Sequence, residues 1–368
     1  MSNQLIKQVF DLIKLNNKLI AVESPLQERL RLLTNLACQC QHLGINCYLW
    51  TLEDDALHQL STNEEGLSLQ SVDQYQASAK NRREHYFEIL RFWKTTDLSG
   101  ILILEGIFPW LGESNTDPDF FLTSEWIKSA LINLKLYNHS CNKTAILLGP
   151  NATVSSDIAP EVPTIVQQLP NIEEIKTHLL KVLPDYNQSS IHATANAGMG
   201  MYLADIDYGI RQAIAVGVGD TDELIAELSA YKIELFKRIY NIQFLQPPPT
   251  AIGGLELMQQ AFKTYKRLLT TLAKEYNLRL PKGILLIGPP GTGKSYSAKA
   301  CSQQLELPLI ILEWGNFRSY GNLAEYKLKN LLALTDRINR IILYLDDFDK
   351  GFAGDDDLSK RLAGMLLT

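Results

Sequence analysis

Eight consecutive residues, Gly288-Pro289-Pro290-Gly291-Thr292-Gly293-Lys294-Ser295, carry the most specific chemistry in the chain. They fit the pattern GxxxxGK[ST]. A triphosphate needs several backbone N–H groups converging on its oxygens, and glycine lets the backbone curl tightly and take positive φ. Lys294 is long enough to reach β- and γ-phosphates, and the Ser295 hydroxyl can ligate Mg²⁺. The bare pattern arises by chance in about one chain in a hundred of this length. Its setting makes it rarer still. The apolar run Gly283–Ile287 reads as a strand before the loop, and Tyr296–Leu305 reads as a helix after it. That helix aims the partial positive charge of its N-terminus at the same phosphates. The motif therefore predicts ATP bound with Mg²⁺.

A second acidic segment follows. Ile341–Leu345 is apolar and runs into Asp346-Asp347-Phe348-Asp349-Lys350. A buried strand ending in carboxylates suits the end of a sheet where nucleotides bind. Asp346 is expected to hold Mg²⁺ through water, and Asp347 to orient or deprotonate the attacking water. The plainer reading is a loop acid after a core strand. Its place downstream of the phosphate loop favours the catalytic one.

These residues need elements to position them. The first half of the chain alternates strand-like runs (Leu19–Glu23, Ile45–Thr51, Gly100–Leu104, Thr144–Leu148 and a short Thr164–Gln167) with helical spacing at Pro25–Leu43, Tyr86–Trp93 and Ser124–Tyr137. Residues 62–82 are polar and read as a loop with part of a helix. Such alternation implies a mostly parallel sheet with helices on its faces. The N-terminal residues, with Leu5, Val9, Leu12 and Ile13, read as an amphipathic helix packed on a core. From Ile191 the pattern turns helical, with stripes at Tyr202–Val216 and Thr221–Tyr240. Gln246-Pro247-Pro248-Pro249 then breaks it and marks the main boundary.

Composition narrows the function. The 368 residues are 46% hydrophobic and 21% charged, with a net charge of −6. An acidic balance gives no broad attraction to nucleic acid or anionic membranes. No apolar run reaches the length of a bilayer span. Five cysteines, an odd and sparse set, argue for a reducing compartment such as the cytoplasm. Cys38 and Cys40 lie two apart in a helical pattern and point in different directions, so no metal is expected there.

With both nucleotide motifs in place, the C-terminal region resembles the AAA+ ATPases. Ala251-Ile252-Gly253-Gly254-Leu255 is similar to the segment that packs on adenine in that family, which assigns Ile252 and Gly253 to the nucleotide. Phe317-Arg318-Ser319-Tyr320-Gly321-Asn322 resembles the loop that faces the central pore of hexameric rings, which gives Tyr320 the role of gripping a polypeptide. An ordinary packed tyrosine is the competing reading. More narrowly, the chain resembles AAA+ proteins encoded in cyanobacterial genomes and algal plastids as a hypothetical chloroplast reading frame. This resemblance adds the plastid stroma as a location. It includes an N-terminal half like a degenerate AAA+ module, with Gly100–Trp110 where a second acidic strand would be and Thr144–Pro150 where a sensor strand would be. No GxxxxGK[ST] occurs in that half.

The expected fold class is α/β, a P-loop NTPase (AAA+) parallel sheet. The expected domains are a degenerate AAA+-like α/β domain without a phosphate loop over 1–188, a helical lid-like segment over 189–246, and an AAA+ core over 247–368. Three departures from the family bear on function. Asp347 stands where Glu is usual, one methylene shorter. Asn322 holds the pore-loop glycine position. The family's sheet order is 5-1-4-3-2, and the sequence through Thr368 supplies strands 1, 2 and 3 (Gly283–Ile287, Leu307–Leu312, Arg340–Leu345) but not strand 4, strand 5 or the lid. The core is therefore expected to be incomplete at its C-terminus, as in a fragment of a longer chain. The resemblance implies a ring oligomer that couples Mg-ATP hydrolysis to remodelling of a protein client. A nucleotide-dependent binding module with little hydrolysis is the alternative, motivated by Asp347. A nucleic-acid motor is disfavoured by the acidic charge.

Overall fold

A computed structural model describes residues 4–64, 66–77, 82–112, 118–137, 142–240, 243–245, 255–269, 273, 276, 278, 283–289, 291–305, 307, 309–313, 320–321, 324–338, 341–346 and 357–367. The chain divides into two compact units, Met1–Gln168 and Leu169–Thr368. The division precedes the expected boundary at 188, because the helices after Leu169 share a core with the C-terminal segment.

The first unit is built on strands β1 (Leu19–Glu23), β2 (Cys47–Trp50), β3 (Leu57–Asn63), β4 (Gly66–Ser71), β5 (Gly100–Glu105), β6 (Lys143–Gly149) and β7 (Thr164–Val166). They form one sheet in the order β4-β3-β2-β5-β6-β1-β7. The strands β7, β1, β6, β5 and β2 are mutually parallel. Numbered along the chain, those parallel strands stand in the order 5-1-4-3-2. Their apolar runs lack polar alternation because both faces are covered. Ala21, Leu102, Leu104, Ala145 and Leu147 face the helices Arg82–Thr95 and Pro118–Tyr137, where Tyr86, Ile89, Trp93, Ile127 and Leu131 meet them. Ile20, Val22, Ile101, Ile103, Ile146 and Leu148 face the helices Gln4–Lys14 and Arg29–His42. Gly100 enters β5 at φ +130, and a Cβ there would lie 2.1 Å from the Asn46 carbonyl oxygen. The hairpin β3–β4 occupies part of the stretch read as loop and helix from 62 to 82. Its sequences, LHQLSTN and GLSLQS, lie at the sheet edge with several residues exposed, so they carry little apolar signal.

In the second unit the helices Ile172–Val182, Gln188–Gly198, Leu203–Ala215 and Thr221–Tyr240 pack together. Strands β8 (Gln243–Leu245), β9 (Leu309–Glu313) and β10 (Ile342–Asp346) form a sheet in the order β10-β9-β8. β10 and β9 are parallel, and β8 is antiparallel to β9. Ile310 and Leu312 join the core of the four helices, whereas Leu309 and Ile311 point to the other face.

One expectation is corrected here. Gly283–Ile287 lies in no strand. Ile284, Leu285 and Ile287 are 51%, 77% and 85% exposed, whereas the apolar run Leu19–Val22 of β1 is fully buried. β1 is paired on both sides, by β6 and β7. In a 5-1-4-3-2 sheet the first strand touches only the fourth and fifth. Among the described residues no strand pairs with 283–289, and an apolar run without ladder partners does not become sheet.

Candidate functional site

The expected phosphate loop sits between the segment 283–287 and the helix Lys294–Leu305. Gly291 and Gly293 adopt φ +82 and +86, the left-handed region that glycine enters without cost, and among the described residues a Cβ on either would meet nothing within 4 Å. Thr292 Oγ1 donates to the Pro289 carbonyl at 2.8 Å, and Ser297 Oγ donates to the Gly293 carbonyl at 2.9 Å, so the loop is braced from within. Lys294 Nζ donates to the carbonyls of Gly288 at 2.6 Å and Pro289 at 3.1 Å. These are the loop's own oxygens, which a flexible ammonium can exchange for those of a phosphate.

The strand period decides what faces this loop. In β10, Leu343 and Leu345 pack toward the four-helix core, while Ile342 and Tyr344 pack with Ala298 of the loop helix and with Leu309 and Ile311. Asp346 follows Tyr344 by two residues and shares its face. The Tyr344 hydroxyl donates to Asp346 Oδ1 at 3.1 Å and stands 3.1 Å from Ser295 Oγ. Ser295 and Asp346 are thus linked through one phenol. Tyr344 was not a sequence candidate, because a tyrosine in a core strand carries no motif. Its alternation with Asp346 was the signal that could have found it. Left-handed glycines, a helix N-terminus, a lysine, and a hydroxyl and carboxylate on one side suit a Mg²⁺-triphosphate.

Tyr320 is half-buried, packs against the four-helix core and lies beneath Lys327, whose Nζ is 4.0 Å from the ring centroid. Pro290, Ile252, Gly253, Asn322 and Asp347 lie outside the described residues.

The N-terminal unit offers a comparison at the same place in its sheet. After β1 the chain reads Ser24-Pro25-Leu26-Gln27-Glu28, which does not fit GxxxxGK[ST], and the helix Arg29–His42 begins at once. Arg29 donates Nε and Nη2 to the two oxygens of Glu105, at 2.6 and 2.8 Å, from the helix start to the end of β5. The hydrogen bond to Glu105 raises the Arg29 pKa further above its ordinary value. Beside this pair, Ser24 Oγ donates to Gln167 Oε1 at 2.7 Å, and Gln167 Nε2 donates to the buried Glu28 at 3.1 Å. Glu23 accepts from the Ala152 backbone N–H at 3.0 Å. The groups at the strand ends satisfy one another.

Residues 284–368 match the model of the ATPase family associated with various cellular activities (AAA). An uncharacterized AAA domain-containing protein, ycf46, of Guillardia theta is 27% identical over 68% of this chain and 52% of its own length. The ycf46 protein of Gracilaria tenuistipitata var. liui is 28% identical over 60% of this chain and 46% of its own length. An ATP-dependent zinc metalloprotease FtsH of Heterosigma akashiwo is 27% identical over 32% of this chain and 19% of its own length. The chain spans about half the length of the ycf46 relatives it matches. Among the described residues no helix is long and apolar enough to cross a membrane.

Proposed function

We propose that this ATP-binding AAA protein, similar along most of its length to plastid-encoded ycf46 proteins, binds Mg-ATP through Gly288–Ser295 and uses Ser295 and Asp346 on the metal side. The observation that carries the reading is the link from Ser295 through Tyr344 to Asp346. It ties the helix that begins at the phosphate loop to the acidic end of β10. Mg²⁺, when bound, supplies charge neutralisation across the phosphates. Lys294 binds and orients the phosphates, the glycine backbone cradles them, and Asp347 positions the attacking water and takes its proton.

The larger activity we propose is that of the family: a ring oligomer in which hydrolysis drives remodelling of a protein partner, with Tyr320 at the pore. The test is ATP turnover and sedimentation with and without nucleotide, on this chain and on Lys294→Ala. Nucleotide-dependent assembly with turnover lost in Lys294→Ala supports the reading. Undiminished turnover in that variant contradicts it.

A second reading is favoured by one sequence fact, Asp347 in place of the family's usual Glu. A shortened general base slows hydrolysis, and the protein then works as an ATP-dependent binding switch. Tight ATP binding with negligible turnover distinguishes it.

A further inference from the structure

A second cluster of chemically capable side chains lies wholly within the N-terminal unit. Asp55 sits in the turn between β2 and β3 and holds φ +46. Its Oδ1 accepts from Trp50 Nε1 at 2.8 Å and from the Tyr75 hydroxyl at 2.8 Å. Both donors are buried and neutral, so they fix the orientation of the carboxylate and leave its charge in place. Asp55 Oδ2 faces His85 Nδ1. His85 and Glu88 are three residues apart on the helix Arg82–Thr95 and emerge on one face of it. One ligand atom from each of Asp55, His85 and Glu88 lies within 4.8 Å of the other two.

We propose that Asp55, His85 and Glu88 bind one divalent transition ion of the zinc class. Two carboxylate oxygens and one imidazole nitrogen are a donor set that zinc accepts, with three protein ligands and water in the remaining position. The nitrogen selects against Ca²⁺ and Mg²⁺, which take oxygen ligands. Bonds of about 2 Å bring ligand atoms to within about 4 Å of one another, so small side-chain rotations close the site. Trp50 and Tyr75 hold the ligating carboxylate from behind, the arrangement that second-layer hydrogen bonds give a metal site. The ion ties the turn at Asp55 to the helix carrying His85. The plainer alternative is a hydrogen-bond network complete without metal.

The test uses the full chain, stripped with a chelator and then titrated with ZnCl₂ against a chromophoric zinc indicator. The expected result is one equivalent bound, with affinity lowered at least about tenfold in both Glu88→Gln and His85→Asn and unchanged in Asp346→Asn. Glu88 is partly exposed, so Glu88→Gln is the variant least able to disturb the fold, and circular dichroism checks it. X-ray absorption on the zinc-loaded unmutated chain needs no variant and should report nitrogen and oxygen neighbours only. Failure to compete with the indicator, unchanged affinity in a folded Glu88→Gln, or sulfur in the first coordination shell would each overturn the proposal.

Discussion

Ser295 Oγ lies 3.1 Å from the Tyr344 hydroxyl, and that hydroxyl donates to Asp346 at the same distance. The two residues stand forty-nine positions apart in sequence and meet because Tyr344 is on the face of β10 that packs with the loop helix. Tyr344→Phe removes the hydroxyl and keeps the ring. Loss of these partly exposed hydrogen bonds costs about 1 kcal/mol, or about fivefold in Mg-ATP affinity. Affinity for ATP in EDTA should be unchanged. Titration with a fluorescent ATP analogue, with and without Mg²⁺, measures both; an equal loss in the two conditions contradicts a metal-side role for the phenol.

Asp347→Glu lengthens the expected general base by one methylene. If reach limits hydrolysis, steady-state phosphate release rises about 10- to 100-fold, with ATP affinity unchanged. A rate that stays flat removes this carboxylate as the cause of slow turnover.

Arg29 and Glu105 join the start of the helix Arg29–His42 to the end of β5 in the N-terminal unit. Arg29 is 42% exposed on its side chain, so solvent screening limits the pair to about 1 kcal/mol even with forked geometry. Glu105→Gln should lower the thermal midpoint by a few degrees and leave ATP stoichiometry at one per chain. Gain of a second nucleotide would show that the pair masks a working site.

Lys232 is buried on the helix Thr221–Tyr240, with Nζ donating to the Ala197 carbonyl at 2.9 Å. Burial lowers its pKa from 10.5 to about 8. Between those values the unfolded chain binds more protons than the folded one, so stability rises as pH increases from about 8 to 10.5. The cost of burying the charge is complete below the folded value and amounts to about 3 kcal/mol at most. Lys232→Met should therefore raise the midpoint at pH 7, and its advantage should shrink through that alkaline window. Chemical denaturation at neutral and alkaline pH checks the sign.

The fold and site were unequally legible. GxxxxGK[ST] is complete within eight consecutive residues and can be read without any long-range contact, and the runs LIAVE, GILIL and TAILL announce buried parallel strands because each face of that sheet is covered. The β3–β4 hairpin was not legible, since an edge with one open face carries polar residues such as Gln59, Ser61 and Gln70. Gly283–Ile287 misled in the opposite way: its apolar residues record a preference for burial, but a strand also needs neighbours, and pairing is not written in a single segment. Tyr344 and the Asp55 cluster escaped because their contacts are long-range. Trp50, Asp55, Tyr75 and His85 come together only through the turn and the packing of the helix Arg82–Thr95.

The most direct test of the central claim is calorimetric titration of Mg-ATP into the 368-residue chain and into Lys294→Ala. The account predicts saturable binding at one site in the first and binding weakened at least about tenfold in the second, from loss of a charged hydrogen-bond donor to phosphate. Equal binding by the two proteins would contradict it and place the nucleotide away from the loop.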